Sequence, residues 1–397
     1  MLQLMLRAAV PREARFGACR RLSQVARRGL RTSASAHGEP VAPPSAADEW
    51  EGLRSWRAAG VNSDRRWGAN GPEAGCAPGE ASYADVALPP SLAECGRLVL
   101  STPDPKAKAA LTHAAFRAWC AGSLPVGTAA APDAPARPAR PKLVPMKQVP
   151  TLAESLLSLP AHMLHTLAHI ELNAVDLAWD TAVRFSSLSD VLPQQFFADW
   201  ARVADDESRH LGWCLARLEE LGVAYGDEDA HNQLWLGAEA TAGDVLDRLV
   251  VVPCVQEARG LDAGPRLAAR LVGAGDVRSA AIVRKIAAEE WAHVAVGVSW
   301  LRMVCKARSV DPGDAFRDAV VRHVPDGLKG PFERHARERV GLPRDWWDLA
   351  AAAEAPARPR RRSRASGNRD ALAGVHARLE RVVAMEAQGA AGSPEVA

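Results

Sequence analysis

Six side chains in the middle of this chain have the types and spacing to hold metal ions. They are Glu171, then Glu207 with His210, then Glu257, then Glu290 with His293. In order they read E, ExxH, E, ExxH, the set a dinuclear carboxylate site draws from four helices, with one Glu from each of two and one Glu-x-x-His from each of the others. Positions three, four and seven apart share a helix face. On that rule each acid stands alone on an apolar stripe. Glu171 shares its face with Leu164, Leu167, Val175 and Ala178, and Glu207 with Trp200, Val203, Leu211 and Cys214. Glu257 lies with Val250, Cys254 and Leu261, and Glu290 with Val283, Ile286 and Val294. An unpaired buried carboxylate costs several kcal/mol. Four in one core require cations, and two divalent metals supply the charge. Oxygen and nitrogen donors without thiolate suit iron or manganese rather than a structural zinc. One ExxH alone would mean little; two, alternating with two lone acids, are hard to reach by chance.

The elements that must position these residues follow from hydrophobic period and punctuation. Helix one is expected over 152–184, helix two over 194–221, helix three over 241–272 and helix four over 276–307. Pro193 opens helix two and Gly222 closes it as a C′ glycine. The residues 273–275, Gly-Ala-Gly, join helices three and four tightly, as antiparallel neighbours require. The stretch GVAYGDEDAHNQLWLGAE between helices two and three is long enough for a crossover. After Asp311 a shorter helical stretch and PFERHARERVGLPRDWWDL are expected to pack against the bundle. The fold class is therefore all-α: a bundle domain over 151–350 with smaller helical additions at both ends. Residues 89–150 read as a small helical unit followed by a Pro-rich connector, and 38–88 as a disordered or loosely ordered linker.

Composition bounds the rest. A chain of 397 residues with a formal charge of +2 makes no general case for nucleic-acid binding. Residues 1–37 carry eight Arg against the single acid Glu13, with much Ser and Ala. That is the make-up of an organellar transit peptide, mitochondrial rather than chloroplast. No apolar run is long enough to span a membrane. Seven scattered Cys, none spaced C-x-x-C, form neither a disulfide framework nor a zinc knuckle. Residues 351–397 read as a basic, mostly disordered tail ending in an amphipathic piece, Leu372 to Met385. His162, His165 and His169 fall mostly opposite Glu171 and suit core or rim roles rather than ligation. Cys214 and Cys254 read as small core residues, and Arg259 and Asp262 are spaced to pair with each other.

HTLAHIELNAVDLAWD, FADWARVADDESRHLGWCLARLEELG, YGDEDAHNQLW, VPCVQEARGLDAGP and AAEEWAHVAVGVSW together resemble an uncharacterised ferritin-like family found widely in bacteria and in some eukaryotes. The resemblance covers residues 150–345 strongly and the 89–150 region more weakly. It implies a ferritin-like four-helix bundle with a dinuclear metal site. More distantly, the motif order is similar to that of tRNA-modifying di-iron hydroxylases. In that wider superfamily an acid just before an ExxH often orients the His of the opposite pair. By that analogy Asp206 holds His293 and Glu289 holds His210. The expected function is that of a di-iron (or di-manganese) O2-activating oxidoreductase or hydroxylase of unknown substrate, served by a ferredoxin-type electron donor. A ferroxidase or iron-storage protein, and a non-catalytic metal-stabilised binding protein, are the alternatives. A stable tyrosyl radical is not expected, because Tyr83 and Tyr225 lie off the predicted core helices.

Overall fold

In the computed structural model, residues 50–77 and 86–348 are described. The expected transit peptide (1–37) and the basic tail (351–397) lie outside these residues. The described chain is mostly helical, with a single two-stranded ribbon. In order the elements are α1 (Glu51–Ala58), β1 (Arg66–Trp67), β2 (Pro72–Glu73), α2 (Leu92–Leu100), α3 (Pro105–Cys120), α4 (Leu159–Arg184) and α5 (Gln194–Glu220). Next come α6 (Gln233–Ala240), α7 (Val245–Leu249), a π-helical segment (Val250–Glu257), α8 (Ala258–Gly273) and α9 (Val277–Ala307). α10 (Pro312–His323), α11 (Arg334–Arg339) and α12 (Arg344–Trp347) complete the chain. No helix among the described residues is long and apolar enough to cross a membrane.

Local chemistry sets the ends of the long helices. Ser158 caps α4 by accepting the Ala161 N–H, with Pro160 in the first turn. Asp276 caps α9 through the Ser279 N–H at 2.9 Å and also takes Arg217 from α5. Gly222 ends α5 with φ +73°, a left-handed conformation that favours glycine.

α4 packs along α5, α8 along α9, and α5 meets α9. Two apolar cores run through these helices. One gathers Met163, Leu167, Leu172, Leu211, Trp213, Leu271 and Ile286, the other Val175, Trp179, Trp200, Val203, Leu261, Val294 and Trp300. α4 and α9 pass from the first core to the second along the chain, whereas α5 and α8 pass from the second to the first. The pairs α4/α9 and α5/α8 therefore run in opposite directions. With α5 and α8 parallel, the chain must return between them, and residues 221–244 do so with α6 inside the return. His165 anchors this crossover by accepting the Gly226 N–H at 2.9 Å. His169 donates to the His231 carbonyl at 2.7 Å and accepts from the Tyr225 hydroxyl at 2.8 Å. His162 Nδ1 lies 2.7 Å from Glu228 of the same return, so His162, His165 and His169 all serve the crossover.

Three departures from the sequence expectation have physical causes. Helix one starts at Leu159 rather than 152, because residues 151–157 turn instead of winding. Helix three starts at Val245 rather than 241, behind an Asp244 cap, and is π-helical over Val250–Glu257. Pro253 lies in that segment, and its missing N–H cannot close the regular helical hydrogen bond. The backbone of α9 passes so close to it that a Cβ on Gly297 would lie within 2.2 Å of the Pro253 side chain. Within the stretch expected to be loosely ordered, 50–77 forms α1 and the ribbon and is tied to the long helices. Leu53 is fully buried, Arg57 grips Asp199 at 2.6 Å, and Trp67 packs edge-on against Trp213.

Candidate metal centre

α4, α5 and α9 bring Glu171, Glu207, His210 and Glu290 together where the two apolar cores meet. Ligand-type atoms of these four residues all lie within 4.8 Å of one another, and all four residues are buried. His210 turns Nδ1 toward three carboxylates: Glu207 Oε2 at 3.2 Å, Glu171 Oε2 at 3.4 Å and Glu290 Oε1 at 3.6 Å. His293 turns Nδ1 toward Glu207 Oε1 at 2.8 Å and Glu290 Oε2 at 3.5 Å. Glu207 thus stands between the two imidazoles, whose ring centroids are 5.8 Å apart. Glu257, at the end of the π segment, is not among the four residues that meet within 4.8 Å, but it feels the charges of Glu207, His293 and Glu290. Its stem is partly exposed, yet both carboxylate oxygens are sealed from solvent and have no hydrogen-bond partner.

The outer nitrogens are held as well. His210 Nε2 lies 2.8 Å from Glu289 Oε2, and His293 Nε2 lies 3.4 Å from Asp206 Oδ2. Both outer acids share one cation: Arg209 Nη2 donates to Asp206 Oδ1 and to Glu289 Oε2, each at 2.7 Å. Arg209 is itself buried, with its guanidinium 5.1 Å from the Trp213 ring.

Electrostatics show what the cluster lacks. Burial, then the Glu207 charge, raises the Glu171 carboxyl well above its ordinary range, and burial with Glu207 raises Glu290. Burial, then Glu207 and Glu290, pushes Glu257 up to about 8. Glu207 goes the other way: against burial, His293 and His210 pull it below the usual carboxylate range. Burial disfavours protonated imidazoles, yet the surrounding carboxylates raise His210 and His293 well above the usual value. Protons on the two histidines are the only positive charge inside the inner cluster, against four acids.

The residues fit metal ions. Glu257 Oε1 and Oε2 are buried donor atoms without a hydrogen-bond partner, while Glu207 Oε1 and His293 Nδ1 face each other at 2.8 Å as an ion pair. Orphaned groups of this kind are expensive unless something binds them. Both histidines present one nitrogen inward and hold the other on a carboxylate, the arrangement that fixes a ligating imidazole.

His162, His165 and His169 lie outside the cluster. Cys214 and Cys254 are fully buried. Asp262 does not pair with Arg259 but with Arg337 of α11, through contacts of 2.6 and 2.9 Å. Arg209 carries little signal in the sequence beyond its place between Asp206 and His210. Trp56 carries none there, yet its indole donates to Asp206 Oδ2 at 2.7 Å from 150 residues away.

An uncharacterized protein of Haemophilus influenzae is 36% identical to this chain over 215 residues, which are 53% of this chain and 75% of that protein. No solved structure matches the chain. Residues 101–348 match a family described as protein of unknown function, DUF455, and the chain belongs to that family.

Proposed function

We propose that the protein is a ferritin-like dinuclear metal protein, with iron or manganese held by Glu171, Glu207, His210, Glu257, Glu290 and His293, acting as an O2-activating oxidoreductase. The observation that carries this reading is the gathering of buried ligand atoms of Glu171, Glu207, His210 and Glu290 within 4.8 Å of one another, with the two unpartnered carboxylate oxygens of Glu257 close enough to feel their charge. Two divalent ions balance the four acids and remove the desolvation penalty. Such ions supply one-electron redox chemistry toward dioxygen when bound.

The chain's own residues do the rest. Asp206 and Glu289 orient the two imidazoles; Arg209 with His293 keeps Asp206 ionised, and His210 with Arg209 keeps Glu289 ionised. The apolar cores on both sides keep bulk water from the cluster. Glu207, with one oxygen beside each histidine, would supply a ligand next to either imidazole. A substrate to be oxidised and a one-electron donor complete the reading.

The test is anaerobic loading of the full chain with Fe(II) or Mn(II), followed by metal analysis and oxygen uptake. About two ions per chain are expected, with dioxygen consumed by the iron form and metal lost in Glu207→Ala. Iron uptake continuing into a large particle would redirect the reading to storage. No tight metal binding would overturn it.

A further inference from the structure

The hydrogen-bonded frame of the cluster reaches the surface through Trp56. Its indole N–H donates to Asp206 Oδ2 at 2.7 Å, and that same oxygen lies 3.4 Å from His293 Nε2. His293 then presents Nδ1 to Glu207 and Glu290. The Trp56 and His293 rings meet edge to face with centroids 6.3 Å apart. Asp206 and His293 are buried, but Trp56 is only half-buried. One hydrogen-bonded line thus runs from solvent to a side chain of the site.

The other histidine also has a hydrogen-bonded line, through Glu289 Oε2 at 2.8 Å to Lys285 at the surface, but that line holds no aromatic ring. His210 lies 5.5 Å from the Trp213 ring, and Trp213 lies 5.2 Å from half-buried Trp67. The Trp213 indole nitrogen is sealed without a hydrogen-bond partner. These rings touch only by packing.

An electron tunnels more readily through covalent and hydrogen bonds than across van der Waals gaps. An indole also offers a delocalised π system at the point of entry. Resting on the metal reading above, we propose that Trp56 is the port through which single electrons enter the site, by way of Asp206 and His293. In each transfer the external one-electron reductant is oxidised by one electron and one metal ion is reduced by one. No bond to carbon forms or breaks, and the indole proton stays in its hydrogen bond to Asp206. Trp56 is a positioning and relay residue; it touches neither substrate nor metal.

This role gives a purpose to an otherwise odd feature. The segment bearing Trp56 precedes the domain that matches the family, yet it docks on α5 and α9 through Leu53, Arg57 and Trp67. It delivers one indole to one second-layer carboxylate. Arg202 lies over the face of that indole, its guanidinium carbon 4.8 Å from the ring centroid.

The experiment uses the full chain, loaded with iron and oxidised, mixed rapidly with reduced ferredoxin while the ferric absorbance is followed. Trp56→Phe should keep its metal content and melting temperature but be reduced more slowly by about tenfold or more. Trp67→Phe should match the unaltered protein. Equal rates for Trp56→Phe and the unaltered protein would overturn the inference and leave the metal reading standing. Failure of the unaltered protein to take up iron would overturn the metal reading instead. A second measurement decides the matter if Trp56→Phe cannot hold metal. The ferrous protein is exposed to air without reductant, and its tryptophans are mapped by peptide mass spectrometry. Oxidation concentrated at Trp56 is expected; oxidised Trp67 or Trp213 with Trp56 intact would overturn the relay.

Discussion

Replacing Glu257 with methionine measures what the metal-free site costs the fold. Both carboxylate oxygens of Glu257 are sealed and unpartnered, so methionine, of similar size, removes the charge without breaking a hydrogen bond. Burial first, then Glu207 and Glu290, moves its carboxyl from 4.5 to about 8, with His293 pulling the other way. The folded protein therefore holds this proton to higher pH than the unfolded chain does. The stability linked to that proton is intact below pH 4.5 and is lost as pH rises toward 8. At about 1.4 kcal/mol per pH unit, this one acid removes about 5 kcal/mol across the window, of which about 3 kcal/mol is gone by pH 7. In chelator-treated protein, the advantage of Glu257→Met should widen by that amount from the acidic to the basic end. Urea unfolding at a series of pH values reads it directly. Added Fe(II) or Mn(II) should then stabilise the unaltered protein more than the variant. An advantage that stays constant with pH, or grows toward acid, would refute the argument that ionised Glu257 faces uncompensated negative charge.

Arg209→Met leaves Asp206 and Glu289 without their shared cation and should destabilise the fold by about 3–5 kcal/mol, read from urea midpoints. The loss should coincide with weaker metal retention, because both outer acids lose their anchor. His231→Gln tests the crossover. Burial depresses His231 to about 4, so the unfolded chain takes up a proton first as pH falls below 6.5. The unaltered protein should lose about 3 kcal/mol between those values through this residue, and the variant should be spared that part of the acid loss in thermal unfolding.

The helices were legible because helical period reports which residues share a face, and a face is nearly all that a long buried helix needs. Helix four, expected over 276–307, spans Val277–Ala307, and Gly222 ends α5 where expected. The ExxH spacing likewise puts Glu207 with His210, and Glu290 with His293, on common faces. What stayed hidden depends on contacts between distant segments. Trp56 reaches Asp206 across 150 residues, and nothing in the Gly- and Pro-rich stretch around it marks that docking. Asp262 had a partner at the right helical spacing in Arg259, but Arg337 of α11 offers a bidentate grip and wins. Pro253 reads locally as a helix breaker. Only its packing against Gly297 shows that the helix survives by widening its turn.

That contact between Pro253 and Gly297 bears on which ions the proposed centre accepts. Pro253 lies one turn before Glu257, and Gly297 lies one turn after His293 and two after Glu290. Ring against bare backbone is as near as two such helices can come, so the walls carrying these ligands are already at closest approach. They can part but cannot draw together. Ion selectivity depends on cavity size and on how far ligands can adjust. A site with this stop leaves its acids stretched around a small cation and admits a larger one by yielding outward. Discrimination by radius would then be one-sided, with its lower limit set by a proline and a glycine that never touch the metal.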